Sequence, residues 1–343
     1  MVKRLSIKIA AGALLAPFAR RITVGCPRIL FYHRFAENSS RAMSSALFEE
    51  QIVYLKKHFN IVPLRSITEP LAKGDRLPKN AVALTVDDGY TDFLQIAYPV
   101  IKKHNVPMTV FLVSRFAIND EWLWFDRVRF VCENSSKPSV SFQTPQREFD
   151  LRLLSKEDRE RAWDELCSWC LRRTTEERQA VVAAFENAAS VEVPVSPTEE
   201  YRSLSKMEIT SMDSDLVEIG AHTQSHVILS SCPRAEQEGE IAGSKEELEK
   251  FLGRKINHFA YPNGQPADFD EVSCSVVEKS GFLGGVTVRP ALIDEHTDRF
   301  SIPRMCASFD MNVFRNEVNG LAHLKEIVTG RAENKKRTRS TNY

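Results

Sequence analysis

Short β-rich runs alternate with helical patterns along most of this chain, and no other feature limits its fold as much. The β-rich runs lie at 29–33, 81–87, 106–113, 216–221, 258–261 and 284–288. Helical patterns cover 92–104, 233–252 and 270–279. Strands that alternate with helices are typical of a parallel sheet with crossover helices. The chain has 343 residues, of which 43% are hydrophobic, so it can form one large barrel or two domains.

One stretch, at about 115–203, interrupts this alternation. It contains a charged helical block at 153–187 and a loop with two prolines at 190–198. Nothing in it resembles the strand–helix units of the rest, so we predict a largely helical insertion over one face of the sheet. Loops at the carboxyl ends of barrel strands often carry function. A lid or substrate-binding role and a purely structural role are therefore both open.

Positive charge is concentrated at the two ends of the chain. Residues 1–34 carry seven basic residues and no acidic one, 331–343 carry five basic and one acidic, and the rest carries 34 basic and 45 acidic. An acidic body argues against nucleic-acid binding, which needs a basic surface. We expect a basic amphipathic segment at 1–27 that contacts the membrane surface, and a basic disordered tail at 330–343.

The N-terminus and the cysteines bear on the compartment. An apolar stretch at 9–19 has the length of a signal-peptide core, but Pro17 interrupts it and Arg20 and Arg21 follow at once. The seven cysteines are scattered and odd in number, unlike a disulfide framework. We expect a cytoplasmic protein with peripheral membrane contact, and export is the alternative.

Two adjacent carboxylates, Asp87 and Asp88, end the most β-like run and precede Gly89. Like charges raise each other's pKa, so such a pair is costly unless positive charge meets it. The chain must turn here, and Gly89 permits a turn. One aspartate could bind a metal while the other stays free as a base. For an isolated Asp-Asp-Gly, a simple turn is the commoner explanation.

Two histidines, His222 and His226, follow another β-rich run at a spacing of four. This spacing predicts one face of a helical turn, with about 5–6 Å between the Cβ atoms. Both imidazoles can then reach one Zn²⁺. Because carboxyl ends of parallel strands share one edge of the sheet, the histidines join the aspartates there. Two imidazoles and one carboxylate would leave an open coordination position, as catalytic zinc requires.

Three further features carry two interpretations each. A strand runs into Pro262-Asn263-Gly264, whose backbone N–H groups could stabilise an oxyanion or simply form a tight turn. His33 ends the first β-rich run and is either a core histidine or a catalyst. Trp124 could stack on a sugar ring, or pack the insertion against the barrel.

The ordered motifs resemble a known family. Thr-x-Asp-Asp-Gly, His-x3-His and Tyr-Pro-x-Gly follow one another as in the polysaccharide deacetylases of carbohydrate esterase family 4, which share the NodB homology domain. The early Tyr-His-Arg segment resembles their circularly permuted branch, which acts on exopolysaccharides of the poly-N-acetylglucosamine type. The resemblance implies an α/β fold, a distorted (β/α)7 TIM-like barrel over 28–329. It also implies a divalent metal, most simply Zn²⁺, held by Asp88, His222 and His226.

The same resemblance implies the roles of the reacting groups. Asp87 would be the catalytic base and the Asn263 backbone N–H an oxyanion donor. His33 would be the general acid, since the C-terminal Leu-x-His of the family has only His323 as a candidate, in a helical pattern at 313–327. Tyr261 and Trp124 would contact the substrate.

One departure from the family concerns the arginine that usually precedes the Pro-x-Gly turn. Phe259 and Ala260 stand there instead, and Arg304 is the candidate that could hold Asp87.

These features predict a metal-dependent enzyme that removes N-acetyl, or alternatively O-acetyl, groups from an acetylated glycan. One alternative is a non-catalytic glycan-binding protein with the same fold. Another is a thiol-redox protein based on Cys167 and Cys170, although their helical context lacks the usual strand–helix setting of such a pair.

Overall fold

The computed structural model of the chain describes residues 15–321 and residue 323. Its main sheet has eight strands, and every pairing within it is parallel. These strands are β1 (Arg28–Tyr32), β2 (Asn60–Ile61), β3 (Ala81–Val86), β4 (Met108–Leu112), β7 (Val217–Ala221), β8 (His258–Ala260), β9 (Gly284–Val286) and β10 (Met305–Cys306). Seven of them follow the order β10-β1-β3-β4-β7-β8-β9, while β2 pairs only with the start of β3.

The two ends of this seven-strand path are joined through Ile302. Its N–H donates to Gly285 O at 2.8 Å, and its carbonyl accepts from Thr287 N at 2.8 Å. A few residues later, β10 pairs with β1. The predicted distorted (β/α)7 barrel is thereby confirmed.

The inner strands are buried along their whole length. Every residue of β1, β3 and β4 is buried. Parallel strands that are covered on both faces read as continuous apolar runs, which is why these three were evident in the sequence. Strands β2 and β10 have only two residues each, too few for any periodicity, and were missed.

Helices precede or follow the barrel strands. They are Ser45–His58, Arg65–Lys73, Tyr98–His104, Lys206–Ser211, Arg234–Leu252, Glu271–Lys279 and Met311–Val318. The helix predicted at 92–104 begins as a π-helical turn, Phe93–Ala97. The first two helices were not predicted from the sequence.

The segment between β4 and β7 has its own hydrophobic core. It contains the helices Ser114–Asn119, Trp124–Asn134, Lys156–Cys170 and Thr175–Ala189. Val128, Leu166 and Phe185 belong to a cluster of buried residues separate from that of the barrel. An insertion with a separate core can keep its shape without using barrel residues.

The insertion also contains a hairpin that the sequence analysis missed. Strands β5 (Ser139–Gln143) and β6 (Glu148–Arg152) pair antiparallel. Their side chains alternate, with Val140, Phe149 and Leu151 buried and their neighbours largely exposed. This alternation of polar and apolar residues is the usual sequence signal of a half-buried strand.

The predicted terminal segments are only partly within the described residues. Residues 1–14 and 330–343 lie outside them. In the described part of the first segment, Ala16 and Ala19 are buried, and Arg20 donates to Asn319 Oδ1 at 3.0 Å. This contact ties the segment to the C-terminal helix of the barrel and gives no support to the predicted membrane contact. Among the described residues, no helix combines the length and apolar character needed to cross a membrane.

Candidate metal centre and catalytic site

The chain turns sharply after β3, as the Asp-Asp-Gly sequence predicts. Asp88 and Gly89 both have left-handed backbone conformations, with φ of 70° and 86°. A Cβ on residue 89 would lie 2.2 Å from Leu112 Cδ2, so glycine avoids both this clash and the strain of a positive φ. The turn leaves both Asp87 and Asp88 buried.

His222 and His226 lie in a loop after β7, not on a helical turn as their spacing predicted. Thr223 and His226 have left-handed conformations, with φ of 63° and 57°. Thr223 Oγ1 accepts a hydrogen bond from His226 N at 3.0 Å and so closes the loop. The two imidazole centroids lie 5.0 Å apart. The four-residue spacing thus brings the rings together through a different backbone path.

The side chains of Asp88, His222 and His226 converge. His222 Nε2 and His226 Nε2 lie 3.5 and 3.4 Å from Asp88 Oδ1. Ligand atoms bound at about 2.0–2.1 Å to a tetrahedral Zn²⁺ are about 3.4 Å apart. All three side chains are buried, and one ligand atom from each falls within 4.8 Å of the others. The spacing of the three groups therefore fits a divalent cation.

The hydrogen bonding around this cluster also fits a cation. Asp88 Oδ1 and His222 Nε2 are buried and have no hydrogen-bond partner among the described residues, which is costly unless something else binds them. The Ala260 carbonyl accepts from His222 Nδ1 at 2.7 Å, so the lone pair of His222 is on Nε2, facing Asp88. Burial lowers the pKa of His222 to about 4, which keeps it neutral as a ligand must be.

Asp87 is held by Arg304, which lies 217 residues later in the chain, directly before β10. Arg304 Nη1 and Nη2 donate to the two carboxylate oxygens at 2.7 and 2.8 Å, and both side chains are buried. Nη1 also donates to Thr85 Oγ1 at 3.0 Å. Burial alone would raise the pKa of Asp87, but the Arg304 guanidinium outweighs it and holds that pKa below its usual range. Arg304 thus takes the place that the sequence analysis suggested for it.

His33 follows β1 and lies at the open side of this cluster. Its side chain is 48% exposed, and its Nδ1 lies 3.8 Å from Asp88 Oδ2. Among the described carboxylates, Asp88 is the one that lies within ion-pair distance of His33.

The turn after β8 presents Asn263 to solvent. Asn263 and Gly264 have φ of 56° and 61°, and a Cβ on Gly264 would lie 2.8 Å from Val288 N. Within the described chain, no group accepts a hydrogen bond from the Asn263 backbone N–H. That N–H is therefore available to a ligand.

The two predicted substrate contacts differ in accessibility. Tyr261 is fully buried and its hydroxyl donates to Phe300 O at 2.7 Å, so its predicted contact with substrate is wrong. Trp124 is half-buried, and its indole N–H approaches the carbonyl of His226 at 3.4 Å.

Two glutamates behind the histidine loop were missed by the sequence analysis. Glu240 accepts from Gln224 N and Ser225 N at 2.9 Å each, and from Ser225 Oγ at 2.7 Å. Glu247 accepts from Gln224 Nε2 at 2.6 Å. Both lie on the helix Arg234–Leu252, seven residues apart and so on one face. An acidic pair at this spacing is typical of an ordinary solvated helix surface, so it carries no distinct signal of a functional role.

The thiol-redox alternative does not fit the insertion. Cys167 and Cys170 are buried, and burial raises the pKa of both, that of Cys170 to about 12. A reactive thiol needs a lowered pKa.

A parallel barrel with a buried Asp-His-His cluster beside an Asp–Arg pair defines a protein with a candidate metal centre at the carboxyl edge of its sheet. A family model described as Polysaccharide deacetylase matches residues 74–141 and 172–284. These two segments make up more than half of the chain, and the protein belongs to the polysaccharide deacetylase family.

Relatives with similar sequences come from bacteria. YxkH of Bacillus subtilis is 20% identical over 285 residues, which is 83% of this chain and 72% of that protein. The poly-β-1,6-N-acetyl-D-glucosamine N-deacetylase of Staphylococcus aureus is 31% identical over 87 residues, covering 25% of this chain and 30% of the enzyme.

Solved structures share the fold at low identity. IcaB from Ammonifex degensii superposes with a TM-score of 0.58 at 18% identity, over 86% of this chain and 97% of that one. The Streptococcus pyogenes deacetylase PplD, in complex with acetate, gives 0.54 at 16% identity, over 85% and 98%.

Proposed function

We propose that this protein is a metal-dependent hydrolase that removes acetyl groups from a glycan, N-acetyl groups first and O-acetyl groups as the alternative. The observation that carries the proposal is the convergence of Asp88, His222 and His226, with buried ligand atoms that lack hydrogen-bond partners. Beside them lies Asp87, a carboxylate whose pKa Arg304 keeps low. A ligand set next to an ionised base is what hydrolysis of an amide or ester requires.

The proposed substrate is a polymer of N-acetylglucosamine. The staphylococcal relative carries that polymer in its name, and its similarity covers a quarter of this chain.

The residues of this chain would have the following roles in catalysis. A divalent ion, most simply Zn²⁺, supplies polarisation of the acetyl carbonyl and a lower pKa for water when it is bound. Asp87 accepts the proton of the attacking water, while the two hydrogen bonds from Arg304 fix its carboxylate in one orientation. The free N–H of Asn263 donates to the carbonyl oxygen as negative charge develops there.

His33 would protonate the leaving amine. It is exposed enough to meet a polymer, and its Nδ1 lies 3.8 Å from Asp88 Oδ2, at the edge of the proposed metal centre. Trp124, half-buried beside the histidine loop, stays a candidate for contact with a sugar ring. The cytoplasmic location stays a prediction.

The test is acetate release from acetylated oligosaccharides of defined linkage, with and without a chelator. We expect release that the chelator abolishes and that added Zn²⁺ restores. Binding of the glycans without any release, in protein that has taken up metal, would instead favour the non-catalytic glycan-binding alternative.

A further inference from the structure

A cleft of about 690 Å³ lies on the insertion side of the histidine loop. Its walls come from the helix Thr175–Ala189 of the insertion and from the helix Arg234–Leu252 of the barrel. Gln224 and Ser225, which lie between the two histidines, also line it. Its size is within the range of ligand-binding pockets, about 300–1,000 Å³.

The unusual residue of this cleft is Arg178. The residue is only 3% exposed, and no described carboxylate forms an ion pair with it, although Glu236 and Glu240 lie near enough to favour its charge. One hydrogen bond is formed, from Nη2 to Thr175 Oγ1 at 3.3 Å. A guanidinium has five N–H donors, so most of the donors of Arg178 are left for whatever occupies the cleft.

Burying a cation without an ion-pair partner costs free energy, and the position of Arg178 in its helix adds to that cost. It lies at the fourth residue of Thr175–Ala189, and a cation near a helix N-terminus is electrostatically disfavoured. Burial also lowers the pKa of Arg178. A buried, unpaired cation at the wrong end of a helix is a local conflict of the kind that functional sites retain.

The remaining lining residues indicate what kind of ligand fits. Two half-buried indoles, Trp122 and Trp124, lie beside Arg178, whose guanidinium carbon is 5.3 Å from the Trp124 ring centroid. The lining contains three arginines and three glutamates, so the cleft carries little net charge. Balanced charge with aromatic and amide groups suits a neutral polar polymer better than a polyanion or a polycation.

We infer that this cleft binds a stretch of acetylated glycan, with Arg178 donating to an acetamido carbonyl oxygen. The choice of ligand rests on the proposed function, because the cleft shares the 222–226 loop with the candidate metal centre. A deacetylated sugar offers an ammonium group in place of the carbonyl, and Arg178 would repel it. The cleft therefore distinguishes acetylated from deacetylated chain.

The test uses the full-length Asp87→Asn protein, which binds glycan without turning it over. Calorimetric titration with the β-1,6-linked N-acetylglucosamine hexamer and with the glucosamine hexamer, both in chelator, measures binding away from the metal centre. We expect the acetylated hexamer to bind about tenfold more tightly or better, and Arg178→Gln to remove about tenfold or more of its affinity. Arg172→Gln, at an exposed arginine of the same region, is the matched control.

A second variant guards against misfolding of Arg178→Gln. A Cβ on Gly239 meets nothing within 4 Å, and Gly239 lines the cleft. Gly239→Phe should therefore fill the cleft and weaken binding of the acetylated hexamer, whereas Gly239→Ala should not. Unchanged affinity in both Arg178→Gln and Gly239→Phe, or equal binding of the two hexamers by the parent, would overturn the inference. Arg178-dependent binding in the Asp87→Asn protein, together with no acetate release by the metal-loaded protein that keeps Asp87, would refute the proposed function alone.

Discussion

The carboxyl edge of the barrel, called the rim here, carries Asp87, Asp88 and His33. The rim and the insertion each bury a carboxyl group, but the pKa of that group is lowered in one and raised in the other. At the rim, Arg304 offsets the burial of Asp87 and keeps its pKa low. In the insertion, Asp126 is equally buried, but its hydrogen-bond donor is the neutral Tyr90 hydroxyl. Burial there raises the pKa of Asp126 to about 7. The rim is thus built to hold negative charge ready for a cation or a proton, while the insertion is built to avoid it.

The difference follows from where each group finds its partners. The carboxyl edge of a parallel barrel gathers side chains from strands far apart in sequence, so Asp87 meets an arginine 217 residues away. Asp126 lies in the first turn of the helix Trp124–Asn134, and the side-chain hydrogen bond that it forms with the barrel comes from Tyr90. The proposed catalytic residues therefore lie at the rim, while the insertion forms one side of the neighbouring cleft.

The largest effects should come from the rim itself. His222→Ala should lose bound metal and with it at least about a thousandfold in turnover, since water is not activated without the ion. Asp87→Asn should lose activity to a similar degree but keep its metal, because Asp87 makes no contact with the proposed ligand atoms.

Metal content of the two purified variants and their acetate release decide this prediction. Asp126→Asn is the control in the insertion and should keep both. An Asp87→Asn protein purified without metal would show that the division of work between Asp87 and Asp88 is wrong.

The next largest effect should come from His33. General acid catalysis contributes about 10²–10⁴-fold, so His33→Ala should lose turnover by about that factor at saturating metal. His323→Ala is the matched comparison at the C-terminus, and we expect near-normal turnover from it. If His323→Ala lost turnover and His33→Ala kept it, His323 would be the general acid.

Much of the rim could be predicted from the sequence because its residues follow buried strands directly. Asp87, Asp88 and His33 are each within two residues of a strand end, and such runs are easy to read. The contact between Arg304 and Asp87 was only suggested, because β10 has two residues and gives no pattern of its own.

Backbone shape and burial were the parts that the sequence could not provide. The loop holding His222 and His226 depends on left-handed conformations at Thr223 and His226, which are uncommon for residues other than glycine. Burial of Tyr261 depends on its stacking against Phe269, whose ring centroid is 4.5 Å away. Residue type alone determines neither the backbone conformation of this loop nor the burial of Tyr261.

The insertion should show its own signature in the pH dependence of stability. The pKa of Asp126 rises from its ordinary value of 3.8 to about 7 on folding. Between these values, the folded protein holds a proton that the unfolded chain has lost, so this contribution is fully present below about pH 4 and is lost as the pH rises toward 7. Because one pKa unit corresponds to about 1.4 kcal/mol, the change is a few kcal/mol at most.

Denaturant unfolding of the parent and of Asp126→Asn, in chelator at several pH values, measures this contribution. The difference in free energy of unfolding between the two proteins should change in favour of Asp126→Asn as the pH rises from 4 to 7. Parallel pH curves would mean that Asp126 is ionised in the folded protein, and the contrast between rim and insertion would fail.

The smallest expected effect concerns Glu240, which lies where the two regions meet. Its carboxylate accepts three hydrogen bonds from the loop between the two histidines, two of them from the backbone N–H groups of Gln224 and Ser225. Glu240→Gln would remove the negative charge that strengthens these hydrogen bonds and would loosen the loop. Groups that orient metal ligands typically affect metal affinity by about 10–100-fold when changed. Competition titration with a chromophoric chelator should show that loss in Glu240→Gln and none in Glu238→Gln, since Glu238 is exposed and pairs only with Arg234. Equal affinities in the two variants would mean that the histidine loop keeps its shape through Thr223 alone.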